Sequence, residues 1–481
     1  MTDLVIVGSG AAGTALFVHL MAGPDSRIRR VRLVDPSPPA HGLAFDRPER
    51  YVLCNTSVAV NSVFPHRPGH FGAWLTTHGA ACRRWRVTPA DVAPDGFVPR
   101  GLFREYLAAE FRTALDTALA RGIEVEHVPD HVTDIAGGGT GLVLRTRSGR
   151  TLAAEYVAIG TGLVPATASM SAPARLRRTA AALREDDGFL PDRPRVIVLG
   201  ARQSALDAAL VVARARPDAE LVLVSRTGVL PSVRIEMTER PGRFFTSRVL
   251  MATLELPPGE MIGQWRRLLL AEAAATGAQP PRWRRPRPGL CGLADDLART
   301  RAGDRVAERI DRNAITVVND VWPFLPGRHR RAAPAAFGPL VRRYVSAVPA
   351  RSAERMLGLR DRLTVTAGPR DWHVRDGKVA FTDHRGRVVT GDRVVDATGF
   401  TPAVSPRVLG RPVNELARLV EPGTCHVPAG PGTGLFLVGP PLGSARAVTN
   451  YFNATARQAA SVAGFLAAEP AGTSTGGRRH G

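Results

Sequence analysis

The feature that most limits what this chain can become is its opening. Four apolar residues, Leu4-Val5-Ile6-Val7, run directly into Gly8-Ser9-Gly10-Ala11-Ala12-Gly13, and then into Thr14-Ala15-Leu16-Phe17-Val18-His19-Leu20. An unbroken apolar run of this kind reads as a strand buried on both faces of a parallel sheet. The residues after Gly13 carry helical patterning. Strand, glycine turn and helix in that order make a dinucleotide-binding unit. Gly8 permits the tight turn, Gly10 lets the backbone approach a pyrophosphate, and Gly13 lets helix and strand pack closely. The helix start at Ala11 and Ala12 offers free N–H groups and a positive dipole end to the phosphates. A second strand, residues 31–34, ends in Asp35, about twenty residues past the last glycine, where an acid accepts ribose hydroxyls.

At 481 residues the chain is long enough for two or three domains, and 44% hydrophobic residues is ordinary for a globular protein. No apolar run approaches the roughly 18 residues of a membrane span. With the first strand beginning at Leu4, a cleaved secretory signal is not expected. Cys54, Cys82, Cys291 and Cys425 are scattered, with neither a CxxC pair nor a metal-ligand spacing. The expectation is a cytoplasmic protein without structural disulfides or a metal site. The net charge of +21 is almost wholly arginine, because Lys378 is the single lysine. Arginine suits phosphate and carboxylate recognition. The basic residues are nevertheless spread along the chain with one dense cluster, residues 282–287, and no nucleic-acid-binding signature accompanies them. A solvated basic surface that draws in anionic small molecules fits better than nucleic acid.

After Asp35 comes a long irregular segment through His41-Gly42-Leu43-Ala44-Phe45, Cys54-Asn55-Thr56 and Val63-Phe64-Pro65, ending in an aromatic helix at residues 71–75. A loop of this length inside a compact domain is usually functional. An amphipathic helix over 102–120 follows Arg100. Strands are expected at 123–128, 141–146 and 156–159. The last ends in Gly160-Thr161-Gly162, a small-residue turn able to meet the same cofactor. The chain restarts after Pro191-Asp192-Arg193-Pro194 with Val196-Ile197-Val198-Leu199, the turn Gly200-Ala201-Arg202-Gln203-Ser204-Ala205 and a helix over 206–213. Only the first glycine of the fingerprint is present, and Arg202 stands where the second would be. The following strand, 221–224, ends in Ser225-Arg226, the pattern that accepts a 2′-phosphate and so favours NADP over NAD. Residues 234–351 are rich in Arg and Pro, with helical patches at 264–274 and 337–344. Strands return at 363–366, 378–382, 393–396 and 434–439, and a long helix at 450–468. The tail, 471–481, has a disordered composition.

Taken together, these features resemble the two-dinucleotide-domain flavoproteins, and within them the FAD/NAD(P)-binding group related to the N-hydroxylating (class B) flavin monooxygenases. Gly8 to Gly13 resembles that group's FAD fingerprint, and Gly200 to Ala205 its NADP fingerprint apart from Arg202. Asp396-Ala397-Thr398-Gly399-Phe400 is similar to a shortened form of its closing motif. Residues 42–64 are similar to the stretch beneath the flavin, and Ser225-Arg226-Thr227-Gly228-Val229-Leu230-Pro231 to its post-strand signature. The substrate residues of lysine or ornithine hydroxylases are not recognisable in the middle segment, and the redox cysteine pair of disulfide reductases is absent.

The resemblance implies an α/β protein with two Rossmann-like domains, the NADP domain inserted into the FAD domain. The expected division is 1–190 and 386–470 for FAD, 191–385 for NADP with the arginine-rich insertion, and a tail at 471–481. FAD and NADPH are the implied cofactors. Their expected contacts are Gly8, Gly10, Ala11, Ala12, Gly13, Asp35, Asn55, Arg100, Gly160, Thr161, Gly162, Gly200, Gln203, Ser204, Ser225, Arg226, Thr398 and Gly399. The implied reaction takes dioxygen and a small-molecule substrate and passes one oxygen atom from a flavin hydroperoxide to an amine nitrogen. The basic balance weakly favours an acidic amino compound. A flavin-dependent dehydrogenase or oxidase, and a non-catalytic binder on a flavin fold, remain the alternatives.

Overall fold

The computed structural model describes residues 2–23, 28–138, 141–166, 173–185, 188–237, 242–275, 286–368, 372–403, 405–428 and 434–468. Most of the basic cluster (282–285) and the tail 471–481 therefore lie outside the described residues.

The apolar opening forms strand β1 (Thr2–Val7), with Leu4, Val5 and Ile6 fully buried. It pairs in parallel with β2 (Ile28–Val34) on one side and with Tyr156–Ile159 on the other. The sheet extends to Glu124–Val128 beyond β2, and to Gly434–Leu437 and His426–Pro428 at the opposite edge. Helix α1 (Ala11–Ala22) is buried on nearly every side, because it lies against this sheet, helix Arg100–Ala120 and the last helix, Phe452–Ala468. A helix hydrophobic all round has no solvent face to keep polar, which is why its sequence lacks a charged stripe. Phe71 and Trp74 of the aromatic helix pack on Phe103 and Tyr106, anchoring the long segment after Asp35 to helix Arg100–Ala120.

The second domain repeats the plan. Its parallel sheet runs Leu363–Ala367, Glu220–Ser225, Arg195–Leu199, Arg393–Asp396 and Arg177–Thr179. This corrects the expected boundaries at 190/191 and 385/386. Arg393–Asp396 pairs with Arg195–Leu199, and Arg177–Thr179 pairs with Arg393–Asp396. Leu183, Phe189 and Leu190 join the same apolar core. The short strands Leu163–Pro165 and Phe400–Pro402 pair antiparallel at the crossing between the domains. The segment at 386–399, read from the sequence as flavin-domain chain, therefore belongs to the second domain. Hydrophobic runs alone do not say which parallel sheet a strand joins, and the boundary error follows from that.

The arginine-rich middle segment folds as a helical insertion with its own core, centred on Phe245, Met261, Trp265, Ile310 and Val321. A separate antiparallel sheet carries Val132–Gly138, Gly141–Thr146 and Thr151–Ala154 beside Arg407–Val408 and Arg411–Pro412. The first and third of these strands are absent from the sequence expectations. Val132–Gly138 ends in two glycines and Thr151–Ala154 is only four residues long.

Candidate functional site

Where β1 ends, Gly8 turns with φ +93°, and a Cβ there would lie 2.9 Å from the Gly160 carbonyl oxygen. A Cβ on Gly13 would lie 1.9 Å from the Gly8 carbonyl oxygen, an impossible contact, so its expected role in close helix–strand packing holds sterically. Gly10 caps α1 with φ −63° and ψ −158°, a conformation open to any residue. What a side chain there would meet is the chain at His41 and Gly42, whose atoms stand 3.4 and 3.6 Å from an ideal Cβ. The glycine therefore keeps space open over the helix start. No side chain caps α1, so the first N–H groups, at Ala11 and Ala12, remain available to an anion.

Asp35 stands at the tip of β2 with its carboxylate turned toward the glycine turn. It accepts from the Ser9 and Ser37 backbone N–H groups, each at 2.8 Å. A carboxylate has about four lone-pair sites, so these two bonds orient it and leave capacity for ribose hydroxyls. Gly160 follows the neighbouring strand, and its N–H donates to the Val7 carbonyl at 2.8 Å. Its own ideal Cβ would press on Gly13 N and Ala12 Cβ at 3.2 and 3.3 Å, so Gly160-Thr161-Gly162 lies directly beside the first turn of α1.

Among the described residues, eight buried side-chain polar atoms have no hydrogen-bond partner, and two of them are Thr161 Oγ1 in this turn and Asn55 Oδ1 in the long segment after Asp35. A buried polar atom left unsatisfied costs about 1–3 kcal/mol. Orphans at two positions expected to touch a cofactor fit a polar ligand such as FAD.

The second glycine turn is built alike. Gly200 turns with φ +124°, and a Cβ there would lie 2.4 Å from the Ala397 carbonyl oxygen. Thus Asp396–Gly399 closes on the second turn as Gly160 closes on the first. Asp396, fully buried, pairs with Arg177 at 3.2 Å and accepts from the Thr398 hydroxyl at 2.7 Å. The Thr398 side chain is thereby held by the strand end, while a Cβ on Gly399 would meet open space. Arg202 caps helix Gln203–Ala215 with extended backbone, so its side chain is sterically tolerated in place of a glycine. Its pKa is lowered by desolvation and by the nearby guanidiniums of Arg342 and Arg226. The charges of Arg342 and Arg226 thus reach the helix start that carries Arg202, a basic environment suited to an anion. Arg226 is exposed there, while the Ser225 hydroxyl accepts from Gly228 N–H at 3.0 Å and so also shapes the turn. Ser204, half-buried, lies in the first turn of the helix. Gln203 donates to the Ser346 carbonyl at 3.3 Å, joining the fingerprint to the helical insertion.

Arg100 has protein partners that its sequence context does not reveal. Its Nε donates to the Leu53 carbonyl at 3.1 Å and its Nη2 to Asp207 at 2.7 Å. The guanidinium is therefore engaged at the domain boundary, where it ties the long segment after Asp35 to the second domain's nucleotide helix. The sequence reading also missed Arg342 and Arg234. Arg234 is fully buried and donates to the Asn55 carbonyl at 3.2 Å and to the Tyr344 and Val345 carbonyls at 3.0 and 3.2 Å. It thus joins the segment expected beneath the flavin to the insertion. Further ties across this face are Ser57 to the Met237 carbonyl, 2.7 Å, and Asn319 to Val448 in both directions, 2.8 and 2.9 Å. Nothing in an arginine-rich stretch distinguishes these two arginines from their exposed neighbours.

Residues 5–164 match a family model described as FAD-NAD(P)-binding, so the chain carries an FAD/NAD(P)-binding domain. No curated protein sequence matches the chain. Among solved structures it is similar to the ornithine N-hydroxylase of Kutzneria sp. 744, with 16% identity, 97% of this chain and 99% of that one covered, and a TM-score of 0.60. The ornithine hydroxylase of Pseudomonas aeruginosa gives 12% identity, 97% and 98% coverage and a TM-score of 0.60. The L-lysine 6-monooxygenase of Pseudomonas syringae gives 16% identity, 98% and 100% coverage and a TM-score of 0.55. At these identities the likeness is one of fold, and it extends over nearly the whole chain. Among the described residues, no helix is long and apolar enough to cross a membrane.

Proposed function

We propose that this protein is an FAD- and NADPH-dependent monooxygenase that oxidises an amine nitrogen of a small, acidic amino compound. The observation that carries this reading is that one insertion touches both nucleotide units: Ser346 meets Gln203, while Tyr344 and Val345 meet the Arg234 that holds Asn55. When bound, FAD and NADPH supply the redox chemistry, from reduction of the flavin to activation of dioxygen. The first glycine turn, Asp35, Thr161 and Asn55 hold and orient the flavin. Gly200, Arg202, Arg226 and Arg342 hold the phosphates of NADPH. The insertion, seated on residues 55–60 and 444–451, excludes water from the space between them. The arginine-rich surface draws in an anionic substrate.

The deciding experiment uses labelled dioxygen. Purified protein, NADPH and a panel of amino acids should yield a product carrying the label on nitrogen, in step with NADPH consumed. Unlabelled product, or turnover that persists without oxygen, would place the protein among flavin dehydrogenases instead.

A further inference from the structure

A cavity of 690 Å³ lies in the groove between the two domains. Its walls come from the flavin-side segment at 48–53 with Trp85 and Arg86, from the C-terminal half of helix Gln203–Ala215, and from helix Ala350–Leu357. Leu210 and Arg214 stand seven and eleven residues beyond Gln203, about 10–17 Å along the helix from the turn that faces the coenzyme. The groove is therefore separate from the nucleotide sites described above.

Six guanidiniums line it: Arg50, Arg86, Arg214, Arg351, Arg355 and Arg362. Three carboxylates do so too, and each is already engaged. Glu49 accepts from Arg47 at 3.0 Å, Glu185 from the Tyr51 hydroxyl at 2.6 Å, and Asp91 from the Thr88 backbone at 2.8 Å and from Arg351. Arg355 donates to the Tyr51 carbonyl at 2.7 Å, and Arg362 to the Arg216 and Pro217 carbonyls. Among the described residues, Arg50, Arg86 and Arg214 have no acidic partner. Like charges held together in a groove are unfavourable until an anion joins them, and several forked guanidiniums from different directions suit phosphate oxygens. Trp85, Leu53, Leu210 and Leu359 add an apolar wall, and the volume falls within the roughly 300–1,000 Å³ of small-molecule sites.

We propose that this groove binds a small organic polyphosphate, such as a nucleoside diphosphate. The ligand bridges Arg50 and Arg86 of the first domain to Arg214, Arg355 and Arg362 of the second. Occupancy holds the two domains in one relative orientation. The test is calorimetric titration of the full, FAD-loaded chain with ADP and with inorganic pyrophosphate, both in saturating NADP⁺ to block the coenzyme site. Single-site saturation is expected, weakened at least tenfold by Arg50→Glu with Arg214→Glu and unchanged by replacement of the exposed Arg375 by Ala, which lies outside the groove. Both replaced arginines are exposed, and the milder Arg50→Gln with Arg214→Gln pair should weaken binding in the same direction if charge reversal harms folding. Absence of saturation in the presence of NADP⁺, or undiminished binding in both double variants, would overturn the proposal.

Discussion

The guanidinium of Arg100 lies 2.7 Å from the carboxylate of Asp207, and this pair joins the start of a first-domain helix to the helix of the second domain's nucleotide turn. Burial raises the Asp207 pKa, while Arg100 and Arg47 pull it back down. Replacing Arg100 by Ala leaves that carboxylate without its partner and should destabilise the protein by about 2–3 kcal/mol, below the range for fully buried pairs because both side chains retain some exposure. Asp207→Asn should cost less. Denaturant titrations of both single variants and the double variant would show the coupling, and strict additivity would mean that the pair contributes nothing.

The glycines of the first turn should separate by mechanism. Gly13→Ala places a Cβ 1.9 Å from the Gly8 carbonyl oxygen, so even the apoprotein should lose stability. Gly10→Val should leave the apoprotein near its original Tm yet remove most of the bound flavin, since it narrows only the space above the helix start. Flavin absorbance measured alongside apoprotein melting distinguishes the two. A folded Gly10→Val protein with full FAD would place the cofactor elsewhere.

Coenzyme choice should depend on the arginine cluster. Arg226→Ala and Arg342→Ala should each weaken NADPH binding by about ten- to a hundredfold, the effect of one charge-assisted phosphate contact, with NADH affected less. Arg202→Ala should weaken both coenzymes if it meets the pyrophosphate. Equal use of NADPH and NADH by the unmodified protein would contradict this arrangement.

Acid should expose His19. The ring is buried, with Nε2 2.8 Å from the Val63 carbonyl oxygen. Burial, with smaller contributions from the charges of His66 and Arg67, lowers its pKa from 6.5 to about 4. Between those values the unfolded chain binds the proton more readily than the folded one. Stability is thus full above pH 6.5, falls as pH drops toward 4 and levels below it, a loss of about 3 kcal/mol from this group. His19→Gln keeps a donor for Val63 and should flatten that slope. Identical pH profiles for the two proteins would rule the effect out.

Local patterns were legible where one short stretch contains the whole signal. Gly13 is fixed by contacts with its own turn and strand, at Gly8 and Ile6, and the runs at 393–396 and 378–382 fall on strands with those same limits. The Arg100 partner was not legible, because a basic residue at a helix start reads alike whether it faces a phosphate or also, as here, an aspartate 107 positions away. The domain boundary failed for a similar reason, since Arg393–Asp396 would be equally apolar in either sheet. Arg342 and Arg234 were hidden by composition. In a chain with 64 basic residues, another arginine says nothing until the fold shows what it faces.

The antiparallel pairing of Leu163–Pro165 with Phe400–Pro402 brings the entrance and exit of the second domain side by side. The described chain between residues 166 and 399 is covalently joined to the first domain through one two-stranded stem, while Arg234, Met237 and Asn319 also meet that domain's surface. A unit whose ends are neighbours can be removed, exchanged or joined by a short loop without rethreading the sheet that contains β1. Such a cassette can change its coenzyme preference or its helical insertion while the flavin-side scaffold keeps its connectivity.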